Sequence, residues 1–386
     1  MFFKKTKASG LTAEIRVRRC YGCGAILQCD DPNEVGYVPK EKFASEEETL
    51  CERCYKLRHY SQYKDQGDIS VDYATILDSA RQDDALAVYV FNAFSLNGSI
   101  LDGVGEYFPS KALAVINKRD LLPKSFDDTY LIAKTKELLE KENIHPLEVI
   151  VTSSSASRSS NIDTLLSKIN QYRAGKDVYF IGAYQVGKSS LINALLNSYN
   201  NDTDRVITTS PYPGTTLDVI SIPLDENSSM YDTPGINNAK SIVSKIEGKI
   251  VKYVLPRNEV RPETYSCKEG QSFLFSNIAR FDFVKGGKTN FTFYKSNDLS
   301  LQRAKINKAD DLFETLAKNG SLETRSERFG TIHALKKTSL KAIKGVSNRI
   351  RIYGLGFIDF IGEDQEMDVY APDGVLVTIE EGGVRL

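Results

Sequence analysis

Short apolar runs alternate with amphipathic stretches between about residue 66 and residue 245. Short runs bounded by turn residues are typical of strands, and longer stretches with apolar residues three or four apart are typical of helices. Strands are predicted at 85–91, 112–116, 147–151 and 178–181, and helices at 129–142, 162–172 and 188–197. This alternation favours a parallel sheet with helices on both faces.

The pattern changes on either side of this region. After about residue 250 the apolar runs are short, rich in aromatic residues and separated by Gly and Asn, which favours antiparallel β structure. Strands are predicted at 272–275, 281–284, 290–294, 349–355, 357–361 and 374–379, with one helix at 308–319. The N-terminal segment is polar, carries most of the cysteines and shows little periodicity. We therefore predict three domains, at 1–65, 66–245 and 246–386.

Composition and charge exclude some classes of function. The chain has 386 residues, enough for two or three domains, and a formal net charge of −1. So nearly neutral a chain has no global field that attracts nucleic acid, and any such contact needs a local basic patch. No apolar run approaches the roughly 20 residues of a membrane span, and no apolar signal core precedes Cys20. We therefore expect a cytoplasmic protein.

One local basic run occurs in the C-terminal region, where no acidic residue lies between 334 and 351. Lysines and arginines that neutralise phosphates give RNA affinity that falls steeply with salt. The run consists of Lys336, Lys337, Lys341, Lys344, Arg349 and Arg351. It predicts an RNA contact, and the alternative is a solvated helix face.

The sequence Gly-Ala-Tyr-Gln-Val-Gly-Lys-Ser at 182–189 lies between a predicted strand and a predicted helix. Its glycines let backbone N–H groups cradle phosphate oxygens, and the helix points its N-terminus at them. Lys188 is expected to reach the β- and γ-phosphates, and the Ser189 hydroxyl to hold Mg²⁺. The predicted nucleotide contacts here are Gly182, Gln185, Val186, Gly187, Lys188, Ser189 and Ser190. The alternative is a glycine-rich turn before a helix.

An Asp-Thr-Pro-Gly sequence follows at 232–235. Asp232 is expected to hold Mg²⁺ through a water, and the Gly235 N–H to contact the γ-phosphate and sense its loss. Between the two motifs, we choose Thr216 over Thr215 as the residue that completes the Mg²⁺ shell. The predicted catalytic set is Lys188, Thr216, Asp232 and Gly235. A Pro-Gly turn and ordinary loop threonines are the alternatives.

The sequence Asn-Lys-Arg-Asp at 117–120 follows a predicted strand, at the strand end where ligands bind in open α/β sheets. Asp120 can accept hydrogen bonds from guanine N1–H and N2–H₂, whereas adenine would leave this carboxylate unpaired. Asn117 can bond guanine N7, and the stem of Lys118 can lie along the base. The alternative for Asp120 is a helix N-cap.

The order of these motifs is rotated. In an ordinary small GTPase the phosphate loop comes first, Asp-Thr-Pro-Gly second and the guanine motif after both. Here the guanine motif leads, which describes a circularly permuted GTPase. Ser155 and Ala156 follow the strand predicted at 147–151 and fit the accessory loop that meets guanine O6 with a backbone N–H.

Two Cys-x-x-Cys pairs are separated by 27 residues in the N-terminal segment. Each pair can present two thiolates to one ion, and four thiolates complete the tetrahedron of a structural zinc site. The predicted Zn²⁺ ligands are Cys20, Cys23, Cys51 and Cys54. The alternative is a redox dithiol.

With these motifs the chain resembles the YqeH-type circularly permuted GTPases. The motif order matches throughout, and further matching segments lie at 20–25, 30–32, 36–39, 51–54, 59–60 and 354–356. The resemblance implies a zinc module, action in assembly of the small ribosomal subunit, and a C-terminal β-rich domain that binds RNA or protein.

Three positions depart from this pattern or from that of related enzymes. Gln185 stands where the family usually has an Asn that, in related GTPases, helps to hold a catalytic K⁺. Gln is one methylene longer, so only a weak K⁺ effect is expected. Ile236 stands where Ras-like enzymes carry a water-orienting Gln, so slow intrinsic hydrolysis is expected. Ser155-Ala156-Ser157 is a loose version of the usual Ser-Ala-Lys.

The predicted fold class is α/β: a circularly permuted P-loop GTPase domain with a small Cys₄ zinc module and a β-rich α+β C-terminal domain. The permutation attaches the C-terminal domain directly to the γ-phosphate sensor, so a GTP-ordered switch can re-aim that domain. We expect a protein that hydrolyses GTP to GDP with Mg²⁺ and binds ribosomal RNA or ribosomal protein. The alternatives are a regulatory GTPase that acts on a non-ribosomal protein or membrane partner, and a nucleic-acid-binding module with a decayed nucleotide site.

Overall fold

The computed structural model describes residues 26–32, 36–43, 51–52, 71–155, 158–202, 210–211, 219–246, 248–319 and 332–382. The chain forms two compact units, Met1–Arg58 and His59–Leu386. In the first unit, the described residues include one helical turn, α1 (Lys40–Phe43), and an isolated bridge between Gln28 and Tyr37. The division into three domains stays a prediction.

The larger unit contains a seven-stranded sheet, sheet A, in the order β3-β2-β1-β4-β7-β6-β5. Its strands are β1 (Leu86–Asn92), β2 (Lys111–Asn117), β3 (Glu148–Val151), β4 (Val178–Ile181), β5 (Ser210–Pro211), β6 (Ile220–Pro223) and β7 (Ser229–Asp232). Five of them, β3, β2, β1, β4 and β7, are parallel, whereas β6 pairs antiparallel with β5 and β7. The central strands β1 and β4 are buried at every position, which explains why their sequences are almost continuously apolar.

Helices connect these strands, as the alternating pattern predicts. They are α2 (Val71–Gln82), α3 (Leu96–Ser99), α4 (Asp128–Lys141), α5 (Ile162–Arg173) and α6 (Lys188–Asp202). In α4 the buried residues recur at helical spacing, at Leu131, Thr135, Leu138 and Leu139. The Asp127 side chain accepts a hydrogen bond from the Thr129 N–H and caps this helix.

The C-terminal part is built from two five-stranded antiparallel sheets. Sheet B has the order β12-β9-β10-β16-β13, and sheet C has the order β17-β14-β15-β11-β8. The strands are β8 (Glu263–Cys267), β9 (Gln271–Phe275), β10 (Ala279–Lys285), β11 (Thr289–Lys295), β12 (Leu301–Lys305), β13 (Leu335–Lys341), β14 (Ser347–Ile352), β15 (Gly356–Ile361), β16 (Glu366–Pro372) and β17 (Val377–Glu381). The helices are α7 (Gly248–Val254) and α8 (Ile306–Lys318).

Aromatic rings form much of the core of this β-rich part. Phe273, Phe281, Phe283, Phe291 and Phe293 are fully buried and contact one another edge-on or tilted. These residues come from strands of both sheets, so the sheets share one core. The expectation of an antiparallel, aromatic-rich domain is therefore confirmed.

The basic run does not form the surface that the sequence predicts. Residues 335–341 form strand β13, so the alternative of a solvated helix face is wrong. Arg349 and Arg351 are buried and pair with Asp359 and Glu380, so neither arginine can meet phosphates.

Three lysines of this run pair with acidic residues of the same part of the chain. Lys337 pairs with Asp368 and Lys341 with Glu366, both on the neighbouring strand β16. Lys336 Nζ lies 3.7 Å from Asp373 Oδ1. The acids that neutralise the run are distant in sequence and become neighbours only through the strand register.

Among the described residues, no helix is long and apolar enough to cross a membrane.

Candidate nucleotide-binding site

The phosphate loop connects β4 to α6 at the carboxyl end of the parallel strands. Gly187 has a φ of +93°, and a Cβ there would lie 2.7 Å from Asn117 Nδ2, so only glycine fits. Lys188 opens α6, is 7% exposed and donates from Nζ to the Gly182 carbonyl at 3.0 Å. Val186 is buried and Ser190 is half-buried in the first turn of α6.

Side chains of the guanine motif donate hydrogen bonds to the phosphate loop. Asn117 donates from Nδ2 to the carbonyls of Val186 and Gly187, each at 3.3 Å. Lys118 Nζ donates to the Gln185 carbonyl at 2.7 Å. Burial lowers the pKa of Lys118 to about 8, and the nearby Asp120 carboxylate opposes this shift. The two motifs, about 70 residues apart in sequence, are thus joined by direct hydrogen bonds.

The Asp120 carboxylate lies beside the loop that follows β3. Its Oδ1 accepts a hydrogen bond from Ser153 Oγ at 2.6 Å, and the Ser155 N–H donates to the same hydroxyl at 3.4 Å. Asn117 Oδ1 accepts from the Ser154 N–H at 3.1 Å. The predicted accessory loop therefore starts next to the guanine motif, although Ala156 lies outside the described residues.

The Mg²⁺-binding candidates meet on the other side of the loop. Ser189 Oγ donates to Asp232 Oδ2 at 2.7 Å, and both oxygens are the hard ligands that Mg²⁺ prefers. This donor set fits the ion that the motifs imply. Thr215 and Thr216 lie outside the described residues.

The segment that begins with Gly235 lies directly against the phosphate loop. A Cβ on Gly235 would be 3.0 Å from Tyr184 Cα and 3.3 Å from Lys188 Nζ. The Ile236 N–H donates to the Gly182 carbonyl at 3.3 Å, and the Tyr184 N–H donates to the Ile236 carbonyl at 2.7 Å. The side chain of Ile236 packs against the core of sheet A.

Three residues of the site were missed by the sequence reasoning. Ser153 contacts Asp120, Tyr73 of α2 contacts Thr233, and Asn238 fastens the segment after the Asp-Thr-Pro-Gly motif to Gly98. Ser153 lies beside the predicted Ser155, so its position was the only available signal. Tyr73 and Asn238 carry no local pattern that marks them.

A lysine, loop N–H groups, a Ser–Asp pair and the Asp120 carboxylate at one sheet edge are suited to bind a nucleoside triphosphate and cleave its terminal phosphate. A family model described as 50S ribosome-binding GTPase matches residues 177–273, and one described as YqeH-like, C-terminal matches residues 288–382. The chain is 35% identical over 366 residues to a protein of Bacillus subtilis (strain 168) called uncharacterized protein YqeH, which covers 93% of this chain and 97% of that protein. The chain belongs to the YqeH family of GTPases.

Other relatives of this YqeH-type GTPase carry different names. NO-associated protein 1, chloroplastic/mitochondrial, of Arabidopsis thaliana is 26% identical over 387 residues, which is 88% of this chain and 69% of that protein. GTPase Der of Aquifex aeolicus (strain VF5) is 32% identical over 154 residues, covering 36% of this chain and 31% of the relative. The first similarity spans most of the chain, whereas the second is confined to part of it.

The zinc prediction falls largely outside the described residues of this YqeH-type GTPase. Cys51 is described and is 1% exposed, whereas Cys20, Cys23 and Cys54 are not described. In the described ranges, no group of three or more His, Cys, Asp or Glu side chains could hold a metal ion. The Cys₄ site therefore stays a prediction from spacing.

Proposed function

We propose that this YqeH-type GTPase is a GTP-driven switch that assists assembly of the small ribosomal subunit in the cytoplasm. In the GTP state it would bind ribosomal RNA or ribosomal protein, and hydrolysis to GDP would release it. The observation that carries this proposal is the path of the chain after the Asp-Thr-Pro-Gly motif. That path leads from the γ-phosphate position into hydrogen bonds with sheet C.

The first anchor on this path is Asn238. Its Nδ2 donates to the carbonyls of Gly98 and Ile100, at 3.1 and 2.9 Å, on the segment that follows β1. Lys240 Nζ lies 2.7 Å from the Asp102 carboxylate, on the same segment. Asn238 and Lys240 lie only a few residues after Gly235. If Gly235 moves toward a γ-phosphate, their contacts would either resist the movement or transmit it to the segment that follows β1.

The second anchor joins this path to the C-terminal strands. The Leu376 N–H donates to the Lys240 carbonyl at 2.9 Å, and the Ile242 N–H donates to the Tyr353 carbonyl at 2.8 Å. Tyr353 follows β14 and Leu376 precedes β17, both in sheet C. These bonds support a direct mechanical link between the γ-phosphate sensor and the C-terminal domain.

We assign the nucleotide roles residue by residue. Asp120 would select guanine, with Asn117 at N7, Lys118 along the base and the Ser155–Ala156 loop at O6. Lys188 and the Gly235 N–H would contact the terminal phosphates. When bound through Ser189, Thr216 and Asp232, Mg²⁺ would neutralise phosphate charge.

The proposed catalysis is slow without a partner. Ile236 offers no polar side-chain atom to orient the attacking water, and its side chain packs against the core of sheet A. Ras-like sites with their Gln turn over at roughly 10⁻⁴ to 10⁻² per second without stimulation. We expect a basal rate in or below this range.

The N-terminal cysteines would hold one structural Zn²⁺. Cys20, Cys23, Cys51 and Cys54 have the spacing of a Cys₄ site, and the burial of Cys51 agrees with a ligand rather than a surface thiol. A segment with few apolar residues gains its folding energy from such an ion.

The RNA contact would use exposed lysines rather than the two buried arginines. Lys336 and Lys341 are 74% and 81% exposed, and Lys337 and Lys344 are also solvent-facing. Ion pairs between exposed side chains are weak, so phosphates can displace the acidic partners. Arg349 and Arg351 take no part in this proposal.

Co-sedimentation tests the proposal. Purified small and large ribosomal subunits are each mixed with the protein and a non-hydrolysable GTP analogue, GDP or no nucleotide. We expect strongest binding to the small subunit with the analogue. Equal binding in all three nucleotide conditions would refute the switch, and Lys188→Ala should abolish the nucleotide dependence.

The same experiment decides between partners. The family model that matches residues 177–273 is described as 50S ribosome-binding GTPase, and the 50S particle is the large subunit. Selective binding to large subunits would therefore refute the small-subunit assignment. Absence of binding to either subunit would favour the alternative of a non-ribosomal protein or membrane partner. The RNA contact is tested with a variant in which four lysines are changed together to Gln: Lys336, Lys337, Lys341 and Lys344. Gln avoids placing new negative charge against Asp368 and Glu366.

A further inference from the structure

The circular permutation divides the second switch region of this GTPase. Strands β7, β4 and β1 are parallel neighbours, and parallel strands are joined by crossovers that usually contain a helix. In the ordinary motif order, the chain continues from the Asp-Thr-Pro-Gly strand toward the strands that carry the guanine motif. The helix of that crossover corresponds to α2, which leads directly into β1. In this chain α2 precedes the sheet, whereas β7 leads to the C-terminal domain.

A single buried phenol bridges the two separated parts. Tyr73, in the first turn of α2, is 2% exposed, and its hydroxyl lies 3.0 Å from Thr233 Oγ1. Thr233 Oγ1 donates its own proton to the Phe180 carbonyl at 2.6 Å, so the Tyr73 hydroxyl must donate to Thr233. The Gly182 backbone N–H also donates a hydrogen bond to this hydroxyl. The start of α2, the Asp-Thr-Pro-Gly motif and the phosphate loop therefore meet at one oxygen.

The Tyr73 hydroxyl is a neutral donor. A tyrosine phenol is ordinarily protonated over the physiological range, and desolvation raises the pKa of Tyr73 further. Thr233 is itself buried and lies between Asp232, which faces Ser189, and the segment with Gly235. A hydrogen bond at Thr233 therefore acts at the middle of the motif that must recognise both Mg²⁺ and the γ-phosphate.

We propose that Tyr73 is a positioning residue that rejoins the divided switch by fixing Thr233 against the phosphate loop. This holds Asp232 and Gly235 in the register that GTP requires and GDP does not. The inference rests on the proposed GTP switch. Its specific consequence is that the phenol hydroxyl contributes to the preference for GTP over GDP, beyond any contribution to folding.

The chain offers a matched control. Tyr89 is also fully buried in the core of sheet A, and its hydroxyl accepts a hydrogen bond from the Leu101 N–H at 2.9 Å. That bond touches neither the phosphate loop nor the Asp-Thr-Pro-Gly motif. Tyr89→Phe therefore removes a comparable buried hydroxyl that makes no hydrogen bond to Thr233 or to Gly182.

The test measures the affinities of the full chain for GDP and for a non-hydrolysable GTP analogue with Mg²⁺, together with the melting temperature. We expect Tyr73→Phe to weaken analogue binding about fivefold, which corresponds to one neutral hydrogen bond, with GDP affinity unchanged within about twofold. Tyr89→Phe should lower the melting temperature comparably and leave the affinity ratio unchanged. An unchanged ratio in Tyr73→Phe would overturn the inference.

A second pair of variants tests the bridge from its other side. Thr233→Val should lose at least as much, because it also removes the bond to the Phe180 carbonyl. Tyr73→Phe should add little in that background, because the acceptor of its hydroxyl is already gone. Thr233→Ser keeps the hydroxyl and should restore the ratio. Additive effects would contradict the bridge. If Tyr73→Phe does not fold, the comparison of Thr233→Val with Thr233→Ser decides alone.

The outcomes separate this inference from the proposed function. A wild-type chain that binds no GTP analogue refutes the GTP switch itself. A wild-type chain that binds the analogue and sediments with ribosomal subunits in a nucleotide-dependent way, but whose ratio is insensitive to Tyr73→Phe and Thr233→Val, refutes only the positioning role.

Discussion

A buried arginine joins the GTPase part to the β-rich part, and its removal should be costly. Arg349 of β14 is 0% exposed and donates to both Asp359 oxygens, at 2.7 and 2.6 Å. Its guanidinium carbon lies 4.9 Å from the ring centroids of Phe126 and Tyr130, and 4.2 Å from that of Phe357. Phe126 and Tyr130 belong to the segment that follows the guanine motif, so this cluster fixes that segment against sheet C.

The expected loss in free energy of unfolding follows from the burial of Asp359, the partner of Arg349. Asp359 is 7% exposed, so removing the guanidinium alone leaves a carboxylate with little access to water. Breaking a buried ion pair from one side costs about 3–5 kcal/mol, whereas replacing both partners with apolar residues is often neutral. Arg349→Met should therefore lower the free energy of unfolding by about 3–5 kcal/mol, and Arg349→Met/Asp359→Leu should recover most of this loss.

Urea unfolding followed by circular dichroism measures this, since the chain has no tryptophan. The matched control is Lys336→Met, which removes one side of an exposed pair with Asp373 in the same part of the protein. Exposed pairs contribute about 0–1 kcal/mol, so this variant should unfold close to wild type. A loss in Arg349→Met no larger than in Lys336→Met would show that the cluster is not a buried ion pair in solution.

Three further predictions concern the nucleotide and metal sites. Asp120→Asn should weaken GDP binding about 10- to 100-fold, from loss of charged hydrogen bonds, and improve binding of xanthosine diphosphate; equal competition by ATP and GTP against the wild type would contradict the assignment. Metal analysis should find about one zinc per chain, absent from Cys51→Ser/Cys54→Ser, and full zinc retention would exclude these ligands. Burial lowers the pKa of Lys118 to about 8, so between about pH 8 and pH 10 the unfolded chain binds a proton that the native chain lacks. The stability of the nucleotide-free protein should therefore rise across this window, and thermal melts should show a smaller rise in Lys118→Met.

The elements predicted best are those whose pattern is local. The strand at 178–181 matches β4 residue for residue, and the loop and helix that follow occur where the sequence places them. A buried parallel strand is apolar at every position, and the glycine-rich loop is defined by its own backbone requirements. The order of the guanine, phosphate and Asp-Thr-Pro-Gly motifs is likewise a property of the sequence alone, and it predicts the permutation.

Of the strands that the sequence reasoning missed, four lie at sheet edges: β5 in sheet A, β12 and β13 in sheet B, and β8 in sheet C. The other three, β6, β7 and β16, lie inside their sheets. Edge strands carry charged residues that discourage further pairing, so their apolar signal is weak. The lysines of β13 therefore looked like a free basic run, whereas the strand register places Glu366 of β16 opposite Lys341 and Asp368 diagonal to Lys337.

The sequence by itself determined which chemical groups are present and in what order the motifs run. Only the tertiary structure decided which distant groups share an environment. From the sequence, Arg349 is a candidate RNA ligand, but the structure shows that it is buried with Asp359. No local pattern assigns a role to Tyr73, but the structure places its hydroxyl against Thr233, 160 residues away. The physical reason is that burial and hydrogen-bond pairing depend on the packing of remote segments, which neither periodicity nor spacing encodes.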